Sequence, residues 1–197
     1  MRSSHLEVLH RLRMFAQERR QRRQHRVRVR IHQPHPLDAV DLDIHSVTGE
    51  NGEEMDWSYD GRSLKIYWSD ALEQGQGAKV NVEWSANQPI TGMMFGSTPG
   101  QPDTPKSWMA TDHETERARH WLPCIDHPNV RTTIDTHLTS PSQHTRIGPG
   151  YLVSDTLNSD GTTTTQWRLE QRCPSYLLCV LVGDLVKADG GEHEGVP

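Results

Sequence analysis

Apolar residues in this chain return at every second position, in short runs that stop at glycine-containing turns. That rhythm restricts the fold more than any other feature. Val27, Val29 and Ile31 alternate with Arg26, Arg28 and Arg30. Val40, Leu42 and Ile44 alternate with Asp41, Asp43 and His45, and Val80, Val82 and Trp84 take every second position of residues 79–84. Side chains two apart share one face of a strand, so each run predicts a strand with one buried and one wet face. Asn51-Gly52, Asp60-Gly61 and Asp160-Gly161 are dipeptides that tight hairpin turns favour. Further strands are predicted over residues 55–59, 64–68, 132–139, 150–154, 163–170 and 176–185. The last contains a continuous apolar run from Tyr176 to Val182, the pattern of a strand covered on both faces. Many short strands with regular turn signals predict an all-β fold, a sandwich-like assembly of mostly antiparallel sheets.

One segment breaks the rhythm. Leu6, Leu9 and Leu12, with Val8 and Phe15, recur at three- and four-residue spacing and predict an amphipathic helix over residues 4–24. Ten Arg stand against Glu7 and Glu18 between residues 2 and 30, although the whole chain has a formal net charge of -5. The organisation expected is a basic helical arm over 1–25, a β domain over 26–187 and a flexible tail over 188–197. A basic arm on an acidic body could engage RNA, an anionic membrane or the body itself; the plain alternative is a solvated helix.

No apolar run of about eighteen residues occurs, so no membrane-spanning helix is predicted. No apolar stretch with a small-residue cleavage site follows the start, so no secretory signal is expected. Cys124, Cys173 and Cys179 form neither an even disulfide set nor a zinc-spaced pair. They are expected as reduced thiols buried as small apolar groups. Cytoplasmic residence is the resulting expectation, and an Arg-rich, acid-poor mitochondrial address is its alternative.

Chemistry concentrates in residues 108–133, which are dense in His, Glu and Arg and carry a Pro-Cys-x-Asp-x-Pro turn at Pro123–Pro128. No phosphate-binding loop, dinucleotide fingerprint, nucleophile elbow or Cys-x-x-Cys pair is present. His113-Glu114-Thr115-Glu116-Arg117 approaches a zinc-protease helix, but Arg117 stands where the second His is required. His113, His120 and His127 are spaced by seven, yet Pro123 and Pro128 prevent one helix from carrying all three. No metal site is therefore expected, and hydrogen-bonded or surface histidines are favoured. Asp112, Glu114 and Glu116 alternate, and in an extended chain they would share a side. Like charges so close call for a cation. It is either a substrate ammonium or one of Arg117, Arg119 and Arg131. Asp126 is expected to accept main-chain N–H groups in the proline turn, and Trp121 and Leu122 to be core.

This segment resembles a motif of the aminopeptidase N family of zinc metallopeptidases, which includes the bifunctional leukotriene hydrolases. The family pattern T-Q-x-E/Q-A-x-x-A-R-x-x-F-P-C-x-D-x-P is similar to Thr111 through Pro128, with Glu114, Ala118, Arg119, Pro123, Cys124, Asp126 and Pro128 at matching places. Thr132–Thr139, Ser175-Tyr176-Leu177 with Val182-Gly183-Asp184, Asp60-Gly61 with Leu64 and Ile66, and Gly92 with Phe95 resemble further family elements in the same order.

The resemblance implies a saddle-shaped β domain seated against a thermolysin-like catalytic domain. It implies that Glu114 helps hold the free α-amine of a peptide substrate, with Asp112 beside it where the family has Gln. The family's G-x-M-E-N loop, His-Glu-x-x-His helix and distal glutamate are absent from this sequence. Zinc, the family's cofactor, is thus expected in the catalytic domain and not in this chain, and no turnover is expected from the chain alone. The reading is the N-terminal domain, or a truncated form, of a zinc aminopeptidase that removes N-terminal residues from peptides. The alternative is a non-catalytic binding or scaffold module of the same fold. Nucleic acid is a weaker third partner, through the Arg-rich arm.

Overall fold

The computed structural model describes residues 6–13, 25–31, 36–69, 78–96, 107–186, 188, 190 and 191. Its strands are β1 (Leu6–Arg13), β2 (His25–Ile31), β3 (Leu37–Asp38), β4 (Leu42–Gly49), β5 (Asp56–Tyr59), β6 (Ser63–Tyr67) and β7 (Ala78–Ala86). They continue with β8 (Met93–Gly96), β9 (Trp108–Thr111), β10 (Thr132–Pro141), β11 (Thr145–Ile147), β12 (Tyr151–Leu157), β13 (Thr162–Cys173) and β14 (Leu181–Gly183). Two 3-10 turns, Ala118–His120 and Ser175–Leu177, are the only helical elements among the described residues. None is long and apolar enough to cross a membrane.

Three sheets result: seven strands in the order β12-β13-β10-β1-β2-β7-β4, four in the order β11-β14-β9-β8, and three in the order β3-β6-β5. Every pairing is antiparallel except β1 with β10, where Leu6 lies opposite Thr132. The all-β expectation holds. Alternation explains the core: Val80, Val82 and Trp84 on β7, and Ile134 and Leu138 on β10, are buried. They join Leu37 and Leu64 of the small sheet, and Met93, Met109 and Val182 of the four-stranded sheet, in one apolar cluster. Gly52, Gly61 and Gly161 adopt φ of 86, 86 and 80°, the left-handed conformation that these turns require of glycine.

Two sequence expectations are corrected. Residues 6–13 are not helical; they form β1, inside the seven-stranded sheet. Helix propensity is a weak prior, and β10 and β2 offer main-chain partners along both edges of this segment. The remainder of the expected helix, residues 4, 5 and 14–24, lies outside the described residues, as does most of the expected tail over 188–197. The strand expected over 176–185 shrinks to Leu181–Gly183, because Ser175–Leu177 turn first. The run is buried on alternate residues, Leu178, Val180 and Val182, while Leu177 is exposed.

Candidate functional site

Residues 108–133 begin as β9 and leave the sheet at Thr111, whose Oγ1 accepts the Val180 N–H at 2.9 Å. The chain then turns. The Arg117 N–H donates to the His113 carbonyl at 3.0 Å, so Asp112, Glu114 and Glu116 do not lie along an extended strand as the alternation suggested. The Asp112 N–H donates to the Gly92 carbonyl at 3.2 Å, fixing the turn to the segment that enters β8. Gly92 has φ +80°, and a Cβ there would stand 2.2 Å from the Arg117 carbonyl oxygen, so glycine is required by conformation and by space.

Asp112, Glu114, Thr115, Glu116 and Arg117 line an open depression of about 580 Å3. The carboxylates are treated differently. Asp112 Oδ2 takes the Arg117 guanidinium at 3.3 Å, and Glu116 takes Arg119 at 3.5 Å. Glu114 is exposed, and its carboxylate has no hydrogen bond or ion pair among the described residues. The intramolecular reading and the free-anion reading are thus divided among the three. Arg131, the third cation considered, is absent from these pairs.

Beneath the turn lies a buried polar chain that sequence reasoning did not find. His113 is fully buried; its Nδ1 lies 3.2 Å from the Ser175 carbonyl and its Nε2 2.6 Å from Trp121 Nε1. An indole N–H can only donate, so Nε2 accepts and the ring proton sits on Nδ1, which donates to Ser175. The rings also stack at 5.5 Å between centroids. Burial lowers the His113 pKa, outweighing the Ser175 carbonyl and the Asp126 and Asp112 charges that raise it.

Ser175 Oγ donates to Asp126 Oδ1 at 2.5 Å, and Asp126 Oδ2 accepts from Arg119 N at 3.2 Å and Arg119 Nε at 3.0 Å. The Asp126 N–H donates to Asp38 Oδ2 at 2.9 Å, tying the proline turn to β3. Asp126 accepts one main-chain N–H, but it is that of Arg119 in the preceding 3-10 turn and not one within the Pro123–Pro128 turn where it was expected, and Arg119 pairs within the domain. Trp121, Leu122 and Cys124 are core, and burial pushes the Cys124 thiol well above its ordinary pKa. Trp84 Nε1 donates to the Trp121 carbonyl at 2.7 Å, joining this segment to β7.

These donors do not suit a zinc ion. Both nitrogens of His113 are engaged, Asp126 already accepts from Ser175 and Arg119, and His127 Nδ1 accepts the Asn129 N–H at 3.2 Å. Among the described residues no group of three or more His, Cys, Asp or Glu converges on a metal position.

A profile of the Peptidase M1 N-terminal domain matches residues 14–177. Leucine aminopeptidase 2 of Aspergillus fumigatus is 30% identical over 168 residues, which are 81% of this chain and 27% of that protein. The chain thus spans about a quarter of the length of the curated relatives it matches. Among solved structures, an M1 zinc metallopeptidase variant from Deinococcus radiodurans bound to a Tyr-Ser-Ala substrate superposes with TM-score 0.72 at 20% identity. That match covers 91% of this chain and 42% of the other. Leukotriene A4 hydrolase from Saccharomyces cerevisiae superposes with TM-score 0.72 at 18% identity, over 95% of this chain and 30% of the other. These two likenesses speak to the fold alone. By the profile and the leucine aminopeptidase relatives, this chain belongs to the Peptidase M1 N-terminal domain family.

Proposed function

We propose that this domain supplies one wall of an aminopeptidase substrate site, in which Glu114 holds the α-ammonium of a peptide and the zinc chemistry belongs to a catalytic domain docked against it. The observation that carries the reading is the unequal treatment of the three carboxylates. Arg117 pairs with Asp112 and Arg119 reaches Glu116, and Glu114 alone of the three carboxylates lining the depression has no cationic partner among the described residues. A lone carboxylate facing water binds an ammonium weakly, because both are well solvated and screened. A second wall that excludes water makes the same contact a strong charge-assisted hydrogen bond. The depression is wide open on this chain, which fits a surface completed by another domain.

Asp112 is the lesser contributor. Its guanidinium partner offsets its charge, and its Oδ1 receives the Glu114 N–H at 3.4 Å, so it shapes the turn around Glu114. In the chain joined to an M1 catalytic domain, Glu114→Ala is expected to raise KM for peptides with a free N-terminus by tenfold or more, the order of one charge-assisted bond. An unchanged KM overturns the assignment. A scaffold module would show no peptidase activity in that joined form and no sensitivity to Glu114.

A further inference from the structure

We propose that His113 is the positioning residue for Glu114: its neutral imidazole, clamped between Trp121 and the Ser175 carbonyl, holds the turn that presents the carboxylate. The proposal rests on the amine-anchor reading of Glu114. His113 sits next to Glu114 in sequence, and its carbonyl accepts the Arg117 N–H that closes the turn. One buried residue thus supplies both the main-chain closure and the side-chain anchor of the segment lining the depression. The rest of the lining, Asp112 and Glu114 to Arg117, is exposed.

The clamp depends on one protonation state. A second proton on His113 would fall on Nε2 and face the indole N–H across the 2.6 Å contact, two donors with no acceptor between them. The charged groups facing the ring are Asp112 on its own segment and Asp126, which reaches it through Ser175. The segment leading into β14 contributes the main-chain groups of Ser175 and Leu178. Both carboxylates favour the imidazolium and burial opposes it, and burial prevails. Acid therefore breaks the Trp121 contact and releases the turn, at a pH below the ordinary imidazole range.

Nuclear magnetic resonance of the chain labelled with 15N tests this. At neutral pH the His113 nitrogens are expected to show a protonated Nδ1 and a bare Nε2. On acidification the Trp121 indole N–H and the amides of Glu114, Thr115, Glu116 and Arg117 should move together with His113, in one transition. That transition is expected to persist in Glu114→Gln, which removes the neighbouring carboxyl's own titration. His113→Gln retains an acceptor for Trp121 and should keep the turn amides near their native positions, whereas His113→Leu should displace them at neutral pH. Throughout, the Trp84 indole N–H serves as the reporter of an intact fold.

A His113 and Trp121 transition that leaves the four turn amides unmoved overturns the proposal, as does a turn transition that disappears in Glu114→Gln. Should His113→Leu fail to fold, the acid titration of the native sequence still decides. Coupled movement supports positioning by His113 even where Glu114→Gln leaves amine binding in the joined enzyme untouched, an outcome that counts against the anchor role alone.

Discussion

The indole Nε1–H of Trp121 donates to Nε2 of His113 across 2.6 Å, inside a region where both residues are buried. The bond sets the tautomer of the histidine, and Trp121 is itself held through its carbonyl by Trp84 of β7. The exposed acidic turn is thereby connected to β7 of the seven-stranded sheet by hydrogen bonds between aromatic side chains and main chain.

Trp121→Phe removes the donor and leaves Nε2 of His113 buried without a partner. The expected loss of stability is about 1 to 3 kcal/mol, the penalty for an unsatisfied buried polar group. Urea unfolding followed by far-ultraviolet circular dichroism measures it. The Trp84 to Trp121 carbonyl bond should survive, since it uses main chain.

His113 also makes stability depend on pH. Its folded pKa lies below its unfolded value, so the unfolded chain takes up the proton first as pH falls. Its contribution is fully present above the ordinary imidazole pKa and is lost as pH falls through that value toward the lower folded one. The urea midpoint of the native chain should therefore drop across this window, and the drop should be smaller in His113→Gln. An equal drop in both would assign it to other groups.

Ion-pair length is a poor guide to strength in this domain. Lys79 and Glu50 approach to 2.6 Å, but their side chains are 42% and 58% exposed. Arg119 and Asp126 are longer at 3.0 Å, yet Asp126 has no exposed side-chain surface. Glu50→Ala is expected to cost under about 1 kcal/mol. Asp126→Ala removes the acceptor of Arg119 Nε and of Ser175 Oγ, groups in a largely buried network, and is expected to cost about 3 kcal/mol. Chemical unfolding of the two variants provides the comparison.

Gly92→Ala combines a left-handed φ with a clash against the Arg117 carbonyl. The expected cost is more than about 1 kcal/mol. The diagnostic readout is local: amide shifts should concentrate at residues 112–117. A uniform small destabilisation with those amides unmoved would show that the β8 entry and the acidic turn are independent.

The sequence made the β architecture legible wherever alternation and a turn dipeptide coincided, as in residues 79–84 and at Asp160-Gly161. It misled where two periods fit the same letters. Leu6, Leu9 and Leu12 satisfy a helix, and only pairing with β2 and with β10, more than a hundred residues later, selects the strand. The short strands β3, β8, β9 and β11 passed unnoticed because so few residues display no period and no pair of turn dipeptides brackets them, as Asn51-Gly52 and Asp60-Gly61 bracket β5. In the site, Trp121 and Leu122 are core as expected, and Arg119 was among the three cations considered for the carboxylates, whereas the partners of Asp126 lie outside the proline turn. The His113 to Trp121 bond left no local signal, because residues eight apart meet only when the chain reverses through the 3-10 turn at Ala118–His120. The sequence also could not tell which of three alternating carboxylates remains free. That depended on where Arg117 and Arg119 point once the segment turns.

The central claim is that Glu114 recognises the α-ammonium. The direct measurement is kcat/KM of the domain joined to an M1 catalytic domain, for a peptide with a free N-terminus and for its desamino analogue. Glu114→Gln should lower the value for the free amine by about 10- to 100-fold, as expected for loss of a charge-assisted bond, and leave the desamino analogue nearly unchanged. An equal effect on both substrates, or none on either, would contradict the account.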